Sequence, residues 1–108
     1  MKIYISLPIT GKDEKTQRRI ARMWQRHWES EGHTVINPFD LADRLDSLHR
    51  IGGLKPPTYR EYMEVDLAEL QTCDAIFFVN GWSESKGCIE EAEKAIICSV
   101  KPIFERTS

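Results

Sequence analysis

The stretch Asp74 to Asn80, "DAIFFVN", contains five consecutive apolar residues between polar ends. It is too short for a buried helix and shows no alternation, so it suits a central strand covered on both faces of a parallel sheet. Parallel neighbours cannot be joined by tight hairpins, so the remaining chain must supply crossover helices and further strands. It does so in the order β-α-β-α-α-β-α-β. "KIYISL" is a first strand ended by "PITG", and "HTVINP" is a short second strand ended by Pro38. "VKPIFE" is a last strand whose proline places it at an edge. From Asp13 to about Gly32, Ile20, Trp24 and Trp28 recur every four residues with Met23 alongside, which marks a helix with an aromatic inner face. A shorter helix is expected over Leu41 to His49, followed by a mobile "IGGLKPP" loop that is either a lid or a connector. Thr58 with Glu61 three residues on predicts a capped helix to about Thr72, and the last helix is expected from Cys88 to about Ser99.

This pattern predicts an α/β, Rossmann-like (flavodoxin-like) three-layer domain with a mainly parallel sheet of four to five strands. A length of 108 residues is a single domain, residues 1–108, able to bury roughly two-thirds of its unfolded surface. The net charge of −2 gives no reason to expect polymeric nucleic acid, and the basic segment "KTQRRIARMWQR" reads as a solvated helix face. Cys73, Cys88 and Cys98 form no C-x-x-C pair and read as small core residues. His27, His33 and His49 are scattered and read as surface or packing residues. The opening "MKIYISLPI" lacks the features of a signal peptide and no apolar run is long enough to span a membrane, so a cytoplasmic protein is expected. Trp24 and Trp28 exceed what so small a sheet should cover, which predicts a homo-oligomer, dimer or tetramer.

Ligands of parallel α/β sheets bind at the carboxyl ends of the strands, here "PITG", "NPFD" and "NGWSESKG". Two carboxylates stand in unexpected places, and the first, Glu91, is on the helix end that faces that edge. On a wheel of about 100° per residue, Cys88, Ile89, Ala92, Ala95 and Ile96 form one arc, with Glu90 opposite it and Glu91 at its border. A first-turn carboxylate there is kept ionised by the helix dipole, and serves either as a nucleophile or as an ordinary helix stabiliser. Asp66 falls on the apolar stripe of Tyr59, Met63, Leu67 and Leu70. An acid turned inward needs a partner, a cleft or a raised pKa, and a plain ion pair is the competing reading. One ionised and one semi-buried carboxylate suit chemistry at an acetal-type carbon, of which an N-glycosidic bond is an example. No catalytic triad, metal-spaced set or phosphate loop competes.

"MKIYISLPITGKD" together with "YMEVDLAELQTCDAIFFVNGWSESKGCIEEAEKAI" resembles the nucleoside 2-deoxyribosyltransferase-like superfamily, which includes the 2'-deoxynucleoside 5'-phosphate N-hydrolases. The likeness is nearer to a phage- and bacteria-associated subfamily with "GPITG" and "GW" motifs, the first of which reads "LPITG" here. It implies that Glu91, four residues after Gly87, is the nucleophile at C1' of the sugar, and that Asp66 orients the sugar or helps protonate the leaving base. It implies Ser85 and the Gly87 backbone at the 5' end, where Ser85 in place of a transferase aspartate favours hydrolysis of a 5'-monophosphate, with Lys86 nearby. Tyr4, Ser6, Pro8 and Gly11 are implied as further substrate contacts. Leu7 stands where relatives often have glycine, and Thr10 near where the hydrolases carry arginine. Trp82 is a candidate platform for the base, and Asn37 and Asp40 end the second strand where they could touch the site. The resulting expectation is cleavage or exchange of the N-glycosidic bond of a 2'-deoxynucleoside or its 5'-monophosphate, without cofactor or metal. A nucleotide-sensing domain without turnover is the alternative.

Overall fold

The computed structural model describes residues 1–106. Its elements follow the expected order: β1 (Lys2–Ser6), α1 (Glu14–Ser30), β2 (Thr34–Ile36), α2 (Pro38–Ile51), α3 (Tyr59–Leu70), β3 (Ala75–Phe78), α4 (Lys86–Ile97) and β4 (Lys101–Phe104). The four strands are all parallel in the order β2-β1-β3-β4. The chain runs outward from β1 to β2, then returns across the sheet to β3. That reversal leaves a crevice at the carboxyl ends of β1 and β3.

Local chemistry explains the helix ends. Asp13 caps α1, Asn37 caps α2 with Pro38 in its first turn, and Thr58 with Glu61 forms a reciprocal capping box on α3. Two helices begin before the expected positions. α2 starts at Pro38 rather than Leu41, because an asparagine cap followed by proline suits a helix start as well as a strand end. α4 starts at Lys86, with the Ser85 hydroxyl accepting the Cys88 N–H at 3.3 Å. Before it, Trp82–Glu84 make one 3-10 turn entered through Gly81 at φ 93, where an added Cβ would also sit 3.3 Å from the Pro8 ring. The loop after α2 is tied down: His49 Nδ1 faces the Lys55 carbonyl at 2.8 Å and therefore donates to it.

Alternation along the strands divides the core in two. Ile3, Ile5, Ala75 and Phe77 join Ala21, Ile20, Trp24 and Trp28 of α1 on one face. Tyr4, Ile76 and Phe78 join Val65, Leu67 and Leu70 of α3 and Ala92 and Ala95 of α4 on the other. Helices thus cover both faces of the sheet, as in a three-layer α/β domain. α2 straddles the carboxyl edge, with Phe39 in the first cluster and Leu41 in the second. Trp24 and Trp28 are half-buried against Phe77, at centroid separations of 4.6 and 5.4 Å. They are not the exposed aromatics expected. The apolar residues most open to solvent are Ile51 at the end of α2 and the adjacent Ile96 and Ile97 at the end of α4. Cys73 and Cys88 are buried, as expected of small core residues. Among the described residues no helix is long and apolar enough to cross a membrane.

Candidate active site

Glu91 lies in the second turn of α4, and α4 packs across the face of β1 that carries Tyr4 and Ser6. Both strand residues are fully buried, and both donate to the glutamate: Tyr4 Oη to Oε2, and Ser6 Oγ to Oε1 at 2.7 Å. Each carboxyl oxygen therefore has its own hydroxyl donor. Glu91 itself is only 5% exposed. The border position read from the helical wheel is thus corrected: β1 closes over that border and draws Glu91 into the core.

Burial also reverses the expected charge state. Loss of solvent raises the Glu91 carboxyl to about 8, with Asp66 adding to the rise and the Tyr4 and Ser6 hydrogen bonds opposing it. The helix dipole, strongest in the first turn, does not keep this group ionised. Asp66, from α3, is raised to about 7 by burial, with the nearby Tyr4 hydroxyl opposing the rise. The Tyr4 phenol is raised well above its ordinary value by burial and then by both acids. Two carboxyls gather around one phenol, and near neutral pH they hold a proton between them.

Above them opens a cleft of about 470 Å³, lined by Leu7, Cys88, Glu91, Ser85 and Gly87. Pro38, Phe39, Ala42 and Asp46 of α2 form one wall, and Tyr59, Tyr62, Met63 and Asp66 of α3 the other. Ile9, Thr10, Glu14 and Arg18 complete it. Gly87 leaves its space open to the Tyr59 hydroxyl and the Met63 sulfur, 3.5 and 3.6 Å from where a Cβ would stand. Among the described residues no set of three or more His, Cys, Asp or Glu is placed to hold a metal ion.

Of the residues expected from sequence, Glu91, Asp66, Ser85 and Gly87 meet in this cleft. Tyr4 and Ser6 stand behind Glu91 and hold it, rather than lining the cleft. The remaining expectations are corrected. Trp82 packs on Phe78 and Phe104, at 4.7 and 5.6 Å, because β4 offers an aromatic partner beside β3. Asp40 is exposed and pairs with Arg22 at 3.1 Å. Asn37 is consumed in capping α2 and in donating to Gln25. Pro8 contributes its carbonyl to Gln17 at 2.6 Å, and Gly11 is an exposed turn residue; neither lines the cleft. Glu90 is not simply solvated either, since it is half-buried and pairs with Arg60 of α3 at 2.9 Å.

Sequence reading missed Arg18, Phe39, Asp46 and Tyr62. Arg18 forms a bidentate pair with Asp43, at 2.8 and 2.9 Å, and its guanidinium lies 4.7 Å from the Phe39 ring centroid. Tyr62 could have been found, since it precedes Asp66 by one turn on the same helical face. No curated protein and no solved structure matches the chain. Residues 1–104 match the family described as Domain of unknown function (DUF4406). With that match spanning nearly its whole length, the chain belongs to the DUF4406 family.

Proposed function

We propose that this chain cleaves, or exchanges, the N-glycosidic bond of a 2'-deoxynucleoside or its 5'-monophosphate, as its resemblance to the nucleoside 2-deoxyribosyltransferase-like superfamily implies. One observation carries the proposal: a buried glutamate, clamped by two hydroxyls, shares a nucleoside-sized cleft with a second carboxyl of raised pKa. In the proposed reaction the reactive form is the one in which the proton of the pair sits on Asp66, the reverse of the order that burial alone favours, so that Glu91 is ionised and attacks C1' as the C1'–N bond breaks. Asp66, protonated, gives its proton to the departing base. Asp66 then takes a proton from water, which attacks C1' and releases the sugar and free Glu91; in exchange, a second base attacks instead. Tyr4 and Ser6 orient the nucleophile and stabilise its charge. Ser85 and the Gly87 backbone, at the start of α4, hold the 5' end, near the Lys86 ammonium that lies 5.5 Å from the Tyr59 ring centroid.

The test is incubation with a panel of 2'-deoxynucleosides and their 5'-monophosphates, with chromatography for free base and peptide mass spectrometry for a sugar on Glu91. Base release with label on Glu91 is expected; label on another residue, or none of either product, sinks the proposal. A second reading, a nucleotide-binding domain without turnover, is favoured by the burial that keeps Glu91 protonated. Tight binding with no base released would select it. A cytoplasmic homo-oligomer belongs to the same proposal, supported by the adjacent exposed Ile96 and Ile97, and sedimentation as a monomer at micromolar concentration would overturn it.

A further inference from the structure

Asp46 of α2 and Tyr62 of α3 meet across the cleft, the phenol donating to Asp46 Oδ1. Both side chains also line a second hollow, one that neither Asp66 nor Glu91 reaches, so they stand at the end of the cleft remote from the nucleophile. Among the described residues Tyr62 is the sole hydrogen-bond partner of the Asp46 side chain. The cation of the cleft wall, Arg18, is occupied by Asp43. Asp46 therefore offers unfilled acceptor sites to whatever enters. Between this carboxylate and Asp66 the walls are largely flat and apolar, with Phe39 and Ala42 on one side and Met63 on the other.

We infer that Asp46, oriented by Tyr62, reads the pairing edge of the base, and that the base is guanine. The inference rests on the glycosidic reading of the cleft for which end of the ligand lies where. Tyr62 precedes Asp66 by four residues, which separates them by about 6 Å along the helix axis. That step exceeds the distance across a purine from its glycosidic nitrogen to its pairing edge, and the remainder leaves room for a hydrogen bond from the edge. With Asp66 beside the nitrogen that leaves the sugar, the base edge arrives one turn earlier, at Tyr62 and Asp46. A pyrimidine in the same pose falls short of it.

An ionised carboxylate only accepts hydrogen bonds. Guanine presents two adjacent donors, N1–H and the N2 amino group, which a carboxylate takes as a fork. Adenine and cytosine set an acceptor beside their amino group, and thymine flanks its single N–H with two carbonyls. Each of those bases turns at least one lone pair toward Asp46 and leaves a polar group unmatched.

The test compares wild type with Asp46→Asn, an isosteric change that still accepts from Tyr62. Initial rates of base release are measured with the four common 2'-deoxynucleosides and 2'-deoxyinosine. Binding of the same five compounds is measured by calorimetry on the Glu91→Gln protein with and without Asp46→Asn, which needs no turnover. Deoxyguanosine is expected to be the best ligand, with deoxyinosine, lacking the N2 amino group, weaker by roughly 10-fold. Asp46→Asn should weaken deoxyguanosine by roughly 10- to 100-fold and improve deoxyadenosine relative to it, because an amide offers one donor and one acceptor. Circular dichroism checks that the variant folds. Equal use of adenine and guanine, a base profile unchanged by Asp46→Asn, or binding of none of the five overturns the inference. Guanine-selective binding lost in Asp46→Asn without base release upholds it and sinks the glycosidic reading; base release without guanine preference does the opposite.

Discussion

The two faces of the sheet share one strand and put it to different uses. On β1, Ile3 and Ile5 point to the α1 face, where Trp24 and Trp28 pack against Phe77 and the buried side chains are apolar apart from Gln17, whose amide is satisfied by the Pro8 carbonyl. Tyr4 and Ser6 point the other way and spend their full burial on the carboxyl of Glu91. The first arrangement stabilises through area removed from water; the second accepts a cost in stability to hold an acid in a dry place. Burial alone thus does not distinguish core from site. What distinguishes them is whether the buried atoms are polar and whether a cleft reaches them.

Three measurements would break or sharpen this contrast. The largest effect is expected from Glu91→Gln, which keeps the shape and one of the two accepted hydrogen bonds but removes the nucleophile. Base release should fall at least about 1,000-fold, with the fold intact by circular dichroism. A smaller loss would mean that Glu91 is structural. Next, Trp24→Ala on the opposite face should lower stability by about 2–4 kcal/mol in urea denaturation. Nucleoside binding measured at low temperature should stay unchanged, and a matching loss of binding would show that the two faces are coupled.

The smallest effect is in pH dependence. Glu91 and Asp66 have ordinary values of 4.5 and 3.8 and are raised to about 8 and about 7 in the fold. Between those limits the folded state holds protons that the unfolded state has lost, so these groups favour folding below about pH 4 and progressively less as pH rises toward 8. Glu91→Gln removes about half of that slope, the rest belonging to Asp66. Its melting temperature should exceed wild type by about 4 °C at pH 8 and differ little at pH 4. Trp24→Ala should keep the wild-type slope. If Glu91→Gln kept it too, the site would not carry the raised carboxyls.

The periodic parts of the chain were legible. The apolar run of β3, the four-residue spacing in α1, the capping box of α3 and the edge proline of β4 each report a local backbone preference. Asp66 was legible for the same reason, since its spacing from Met63 and Tyr62 puts it on the inner stripe of α3. Trp82 and Asp40 misled because each lies at the correct edge of the sheet, yet has a nearer partner: Phe104 for one, Arg22 for the other. Nothing local marks those partners, which come from other elements.

The order of strands and helices, the parallel sheet and the inward turn of one acid followed from sequence alone, because each depends on spacing along a single helix or strand. Tertiary structure decided how deeply Glu91 is buried and which way its proton affinity moves. Those depend on Tyr4 and Ser6, which lie 87 and 85 residues away in the chain and touch Glu91 only once β1 and α4 have packed together.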